Sequence, residues 1–237
     1  MEVFQSLQLF NFFRTLGAVF VFCICSQFSD AQTSVIDTQR FEQKGLSLTF
    51  LSPTTGLSPH LKKQLVDLYF VVYPTLIETY NPDALKSVKV VIDTAYDGVA
   101  YASSGVIVIS QAWLLAKPGD IDVLTHELMH IVQAYPRRSG PGWLVEGIAD
   151  YARYKYGIAH EASGWEMPEL KPDHHYTSSY RISARFLHWL ELHTHEGIVK
   201  KLDHSMRNQR YTPDLWEQWT GHSLDALWLQ YTESPTL

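Results

Sequence analysis

The chain has 237 residues, which is enough for one domain with a sizeable apolar core. Its net charge of −6, without a basic stripe, excludes a nucleic-acid-binding surface. Both cysteines, Cys23 and Cys25, precede residue 32, so the rest of the chain has no disulfide, no cysteine nucleophile and no cysteine-rich zinc finger.

Residues 1–31 have the pattern of a secretory signal peptide. Arg14 is basic, an apolar stretch follows at 16–25, and residues 29–31 offer a cleavage site. An uncleaved anchor is the alternative, because apolar residues also precede Arg14. A membrane span needs about 20 apolar residues, however, and polar residues interrupt this stretch. We therefore expect a mature chain of residues 32–237, secreted or periplasmic, with no stable membrane association.

A small sheet and one long helix are predicted in the first half of the mature chain. Alternating apolar residues at 46–50 indicate a half-buried strand that Ser52 and Pro53 end. Ser58, followed by a proline, begins a helix that continues to about Tyr80. Three further strands are expected, at residues 88–92, 99–102 and 105–110.

The sequence HELMH at residues 126–130 predicts a zinc site with its own catalytic base. Residues four apart share one helix face, so His126 and His130 can reach one ion. Neutral imidazole nitrogen suits Zn²⁺, and three protein ligands leave a position for water. Glu127 stands beside the first histidine, where it can take a proton from that water and pass it to a leaving amine.

The next helix is expected to supply the third ligand. Prolines and glycines at 136–142 reverse the chain, and helical periodicity returns at 143–154. Glu146 and Asp150 are four apart and face the same way, so we interpret Glu146 as the third zinc ligand and Asp150 as the partner of the far ring nitrogen of His126. The alternative is a solvated acidic pair, which is repulsive on a helix. The apolar stripe of this helix is Leu144, Ile148, Ala149 and Ala152.

The second half of the chain is mostly helical in its pattern. Residues 159–178 are polar and contain proline, which is typical of a long surface loop. Tyr180 is a candidate donor to the oxyanion that develops during peptide hydrolysis, with a packed core tyrosine as the alternative. Arg185 is expected to form a buried ion pair near Asp150 or Glu127, or to contact substrate. Helices are expected at residues 180–192, 198–206, 214–219 and 224–231.

Several segments carry a wider pattern, in order along the mature chain. They are DGVAYA at 97–102, VLTHE at 123–127, EGIADY at 146–151, YRISARFL at 180–187 and TGHSLDALW at 220–228. Together they resemble the basic secretory protein family of plants and bacteria, a group of gluzincin-like zinc metallopeptidases. Collinear elements are far more specific than HExxH alone. The chain departs from the family's name in its charge, which is acidic.

The segment before the HELMH helix is expected to shape the cleft. Asp120 has the residue type that caps a helix start. The strand at residues 106–110 precedes the helix, as a cleft-edge strand does in zincins, and an extended peptide can pair with it by strand addition.

We expect an α+β, zincin-like single domain, with a small mixed sheet packed on the metal-binding helix and a mostly helical C-terminal half. The predicted function is a secreted zinc metallopeptidase that acts on a peptide or protein substrate. A non-catalytic exported binding or defence protein with structural zinc is the alternative, although a structural site has no use for Glu127. A zinc hydrolase that acts on a non-peptide bond is a third possibility.

Overall fold

A computed structural model describes residues 36–178 and 180–237 of the chain. The predicted signal peptide at residues 1–31 lies outside the described residues. Among the described helices, none combines the length and apolar character that crossing a membrane requires.

The sheet has five strands, and it is mixed, as predicted. Their order is β1-β2-β3-β5-β4. The three inner strands run parallel to one another, and each outer strand is antiparallel to its neighbour. The strands are β1 (Ile36–Gln43), β2 (Leu46–Pro53), β3 (Ser87–Asp93), β4 (Ala100–Ser103) and β5 (Val106–Ser110).

Two strands differ from the expectation at the N-terminal end of the sheet. β2 includes Ser52 and Pro53, which were expected to end it. Most of its residues are buried, whereas a half-buried strand was expected. β1 was not predicted, because its residues are mostly exposed and show no clean apolar alternation. It is held as an outer strand by pairing with β2 along its whole length.

The strand order corrects the predicted edge of the cleft. β5 pairs with β3 on one side and with β4 on the other, so residues 106–110 are internal and β4 is the edge strand. The burial of the strands gives the reason. Ile107 and Ile109 are fully buried, as suits a central parallel strand, whereas β4 is short and half exposed, as edge strands commonly are.

The helices confirm the expected α+β class and the helical C-terminal half. α1 begins as predicted, because Ser58 Oγ accepts a hydrogen bond from the Leu61 N–H and Pro59 is the first helical residue. The short helices α2 and α5 were not predicted. The helices are α1 (Pro59–Tyr80), α2 (Gln111–Ala116), α3 (Val123–Gln133), α4 (Gly142–Tyr156), α5 (His160–Ser163), α6 (Tyr180–His193), α7 (Ile198–Arg207), α8 (Leu215–Thr220) and α9 (Leu224–Glu233).

The apolar core lies between the sheet, α1 and the inner faces of α3 and α4. Leu124, Leu128 and Val132 of α3 are fully buried. The predicted stripe of α4 is also fully buried, from Leu144 to Ala152. Burying the apolar face of α3 leaves its opposite face, which carries the two histidines, directed to the cleft.

The predicted cap of the metal-site helix is wrong. α3 begins after Asp122, and Asp120 lies before it. Asp120 is buried; it pairs with the Arg153 guanidinium and accepts a 3.0 Å hydrogen bond from Trp113 Nε1. A buried carboxylate needs such partners, and two donors from other elements supply them here.

Candidate active site

Three side-chain donors converge at the cleft face of α3. His126 Nε2 lies 3.1 Å from His130 Nε2 and 3.2 Å from Glu146 Oε2. His130 Nε2 lies 3.3 Å from the same carboxylate oxygen. Tetrahedral ligands that bind Zn²⁺ at about 2.0–2.1 Å stand about 3.3 Å apart. The donor types and their spacing therefore fit a single zinc ion.

The local chain geometry explains this convergence. One helical turn separates the two histidines, and the core packing of α3 fixes which way both rings point. α3 ends after Gln133 with Ala134 in the left-handed region, at φ 44°. The chain then turns back into α4, whose buried stripe packs against the same core and so directs Glu146 toward the histidines.

Each histidine has a hydrogen-bond partner on its far ring nitrogen. The Nδ1–H of His126 donates to Asp150 Oδ1 at 2.7 Å, the contact expected from the spacing of Glu146 and Asp150. The Nδ1–H of His130 donates to Gln133 Oε1 at 2.7 Å, and Gln133 Nε2 donates to the Val145 carbonyl at 2.9 Å. These partners leave both Nε2 atoms available as ligands.

Gln133 was missed by the sequence reasoning, although a local signal exists. It lies three residues after His130, so the two side chains share a helix face. It is 1% exposed, and its bond to Val145 ties α3 to the residue before Glu146.

The carboxylates give the cluster a strong attraction for a cation. Burial opposes ionisation of Glu146, but hydrogen bonds to His126 and His130 outweigh burial and lower the pKa of Glu146 to about 2. Burial also disfavours the charged form of His126, yet the bonds to Asp150 and Glu146 raise its pKa to about 10. Metal binding at such a site competes with protons, because the ligands bind in their deprotonated forms.

Glu127 is buried beside the cluster. It is 5% exposed, and among the described residues its Oε2 has no hydrogen-bond partner. Burial raises the pKa of this carboxyl group. A buried carboxylate oxygen without a partner is costly to folding, so such a group points to a use in chemistry.

Tyr180 stands at the start of α6 and lines the same cleft. Its ring centroid is 6.3 Å from that of His126, and the residue is 56% exposed, so it is not the packed core tyrosine of the alternative. The negative charge of Glu146 raises the pKa of Tyr180, so the hydroxyl keeps its proton.

Gly147 lets α6, which carries Tyr180, approach α4, since a Cβ at this position would lie 2.8 Å from Ser183 Cβ.

The cleft that contains these residues has a volume of about 790 Å³. The edge strand β4 forms one wall, and α2 with the residues around Trp165 forms another.

The expected buried ion pair of Arg185 with Asp150, or with a group near Glu127, is wrong. Arg185 Nε donates to the Tyr231 hydroxyl and its Nη2 to the Pro235 carbonyl, both at 3.1 Å, so it holds the C-terminal segment.

The fold is shared with a zinc metallopeptidase of known structure. An M1 zinc metallopeptidase from Deinococcus radiodurans matches with a TM-score of 0.53 and 15% identity, over 85% of this chain and 53% of that chain. A mutant M1 zinc metallopeptidase from Deinococcus radiodurans gives 0.47 and 14%, over 85% and 53%. A mutant two-domain M1 zinc metallopeptidase bound to L-tryptophan gives 0.44 and 14%, over 86% and 49%. The chain spans about half the length of these structures.

A comparison with curated proteins finds no match. A family model, BSP, described as "Peptidase of plants and bacteria", matches residues 39–231. The match runs from β1 to α9 and therefore includes the sheet, the cluster on α3 and α4, and the helical C-terminal half. It confirms the resemblance noted in the sequence, and the chain belongs to the BSP family, the peptidases of plants and bacteria.

Proposed function

We propose that this chain is a zinc-dependent metallopeptidase that hydrolyses peptide bonds in its 790 Å³ cleft. The observation that carries the proposal is the set of three donor atoms, 3.1 to 3.3 Å apart, with the buried carboxylate of Glu127 beside it. Family membership among peptidases supports a peptide substrate over a non-peptide one.

His126, His130 and Glu146 would hold Zn²⁺. When bound, the ion supplies Lewis acidity that lowers the pKa of a water and polarises a carbonyl oxygen. Glu127 accepts the proton of the attacking water at its carboxylate and then delivers it to the nitrogen of the leaving amine. Burial suits this role, because a raised carboxyl pKa lies nearer the operating pH of a general base.

Asp150 and Gln133 act as positioning residues. By accepting the Nδ1–H of His126 and His130, each fixes the ring tautomer and orientation, so Nε2 is presented to the metal. Asp150 carries a charge and Gln133 does not, so the two histidines differ in ligand basicity although both are held in place.

Tyr180 and β4 would act on the substrate. The hydroxyl of Tyr180 stays protonated and lines the cleft, where it can donate to the oxygen that becomes negative during attack. β4 is an edge strand and lines the cleft, so an extended peptide can pair with the side of β4 that no described strand pairs with. This moves the expected docking strand from residues 106–110 to Ala100–Ser103.

A non-catalytic zinc protein is the second candidate function. In that protein Glu127 would have no chemical role, although it is a buried carboxylate with an oxygen that no described residue bonds. Such a group lowers stability. The depth of Glu127 within an open cleft therefore favours catalysis. We also propose that residues 1–31 are removed as a signal peptide and that residues 32–237 form the exported enzyme.

The function is tested by incubating the exported protein with a random peptide library and mapping the cleaved bonds by mass spectrometry. We expect cleavage that a chelator abolishes and added Zn²⁺ restores. A folded protein that carries zinc but cleaves no peptide, while it hydrolyses an ester or another bond, would transfer the site to a different substrate class.

A further inference from the structure

The metal-facing side of α4 continues beyond the cluster to a cation. Glu146, Asp150 and Arg153 are spaced by four and three residues, so they lie on one helix face. Arg153 is about 10 Å from Glu146 along the helix axis, at 1.5 Å per residue. All three residues line the same cleft.

Arg153 is 6% exposed, and its partners satisfy only part of the hydrogen-bonding capacity of its guanidinium. Its guanidinium pairs with Asp120 and lies over the Trp165 ring, 4.7 Å from the centroid. Among the described residues its Nε has no hydrogen-bond partner. The second oxygen of Asp120 accepts a hydrogen bond from Trp113 Nε1, so only one oxygen of this carboxylate pairs with Arg153. A buried guanidinium with unused donor capacity favours an anionic ligand.

Two further cations stand at the same end of the cleft. Lys117 Nζ lies 4.4 Å from the centroid of the Trp113 ring, and Arg181 contacts the carbonyl of the residue after Trp165. Among the described residues that line the cleft, Asp120 is the one carboxylate outside the cluster around the metal site. We call this region the basic end of the cleft, defined as Lys117, Arg153, Arg181 and Asp120.

Contacts within the protein hold the walls of the basic end in place without a substrate. Asp122 accepts hydrogen bonds from the backbone N–H groups of Ile158 and Ala159, which ties the loop before Trp165 to the start of α3. A Cβ at Gly119 would lie 2.3 Å from the Ala162 carbonyl oxygen, so α5 packs directly on the segment after α2. A preformed pocket of aromatic walls and a few charged groups is typical of a specificity site.

We propose that the basic end of the cleft is a subsite for a carboxylate of the peptide substrate. This inference rests on the proposed peptidase function and names its substrate class. The carboxylate can be an Asp or Glu side chain or the C-terminus of the peptide. An extended chain advances about 3.3 Å per residue, so over about 10 Å the carboxylate belongs to a residue within about three positions of the scissile bond.

Binding is measured by calorimetry with the Glu127→Gln protein supplied with Zn²⁺, so that little peptide is consumed during the titration. One set of peptides places Glu or Gln at each of the positions flanking the centre. A second set carries a free acid or an amide at the C-terminus. We expect the charged member of a pair to bind about tenfold more tightly at one position, the usual value of a hydrogen bond to a charged group.

Variants locate the source of the preference. Lys117→Gln and Arg181→Gln alter exposed side chains and should each reduce the preference about threefold, as for an exposed ion pair. Lys200→Gln, which removes an exposed charge on α7 away from the cleft, should leave it unchanged. The paired change Asp120→Asn with Arg153→Gln removes the buried pair as a unit and should abolish the preference. If that protein does not fold, the preference measured in Lys117→Gln and Arg181→Gln tests the subsite instead.

A preference at an internal position assigns the subsite to a side chain, and a preference for the free acid assigns it to the C-terminus. Equal affinities in every pair, or a preference that Lys117→Gln with Arg181→Gln leaves undiminished, would overturn the proposal. Cleavage by the unaltered protein is followed in parallel with the same peptides. If none is cleaved, the proposed function fails, while the binding comparison still decides the subsite.

Discussion

The two faces of α3 follow different rules. The inner face packs Leu124, Leu128 and Val132 against the sheet and α1, and all three are fully buried. The cleft face carries His126 and His130, whose polar contacts join individual atoms, such as Nδ1 of each ring with one side-chain oxygen. Apolar burial is roughly proportional to area and does not depend on direction, whereas each polar contact depends on one partner atom.

This difference teaches where stability and function reside. On the inner face, removing volume should destabilise the fold and leave the chemistry in place. On the cleft face, exchanging one polar atom should impair the chemistry and leave the fold in place. Glu127 is the extreme case, because one of its oxygens has no partner among the described residues. The predictions below test this separation, from the largest expected effect to the smallest.

Glu127→Gln should reduce turnover by about 10²–10⁴-fold, the usual contribution of a general base. Zinc content should be retained, because Glu127 is not among the three converging donors. The free energy of unfolding should not fall, since an amide replaces a buried carboxylate. Steady-state kinetics, metal analysis and urea unfolding check these points, with the exposed Glu78→Gln as control. Full activity in the zinc-loaded variant would remove Glu127 from the mechanism.

Leu68→Ala should lower the free energy of unfolding by about 2–5 kcal/mol, because it opens a cavity in the core. Leu68 lies on α1 and is fully buried. Val71→Ala, at a position of the same helix that is 57% exposed, should change it by less than about 0.5 kcal/mol. Both proteins should bind zinc and turn over as the unaltered chain does. Loss of zinc from folded Leu68→Ala protein would show that the two faces are coupled.

Tyr180→Phe should lower kcat by about 10²-fold with little change in KM, because its hydroxyl contacts charge that develops only during the reaction. Zinc affinity should be unchanged. Tyr154→Phe, a partly exposed tyrosine outside the cleft, provides the matched control. An equal loss in both variants, or a loss confined to KM, would argue against oxyanion stabilisation.

Asp150→Asn and Gln133→Leu should each weaken zinc affinity by about 10–100-fold, because His126 loses a charged acceptor and His130 loses its acceptor altogether. Competition with a chelator of known affinity measures the effect without reference to activity. Gln133→Glu keeps the acceptor oxygen and should retain more affinity than Gln133→Leu. Unchanged affinity in Gln133→Leu would limit Gln133 to a structural bond with Val145.

The contacts within one or two helical turns could be predicted from the sequence. The spacing of His126 and His130 fixes a common face, and the spacing of Glu146 and Asp150 does the same on α4. The long helix α1 carried its own start signal in Ser58 and Pro59. Gln133 obeyed the same rule as the histidines and was detectable at three residues from His130.

The features that depend on distant parts of the chain could not be predicted. Strand order is a property of the whole sheet, so the apolar segment at β5 did not reveal that the shorter β4 lies outside it. β1 is exposed and gains its structure from pairing with β2. The Arg153 partner of Asp120 and both partners of Arg185 lie 33 to 50 residues away in sequence, where local spacing has no information.

The measurement that tests the central claim most directly is the metal content of the unaltered protein and Glu146→Gln, determined side by side by mass spectrometry after dialysis. With His126, His130 and Glu146 as the ligands, the unaltered protein should carry about one Zn²⁺ per chain, and the variant clearly less, because a neutral amide replaces an anionic ligand. Full occupancy in folded Glu146→Gln protein, or no bound metal in the unaltered chain, would contradict the account.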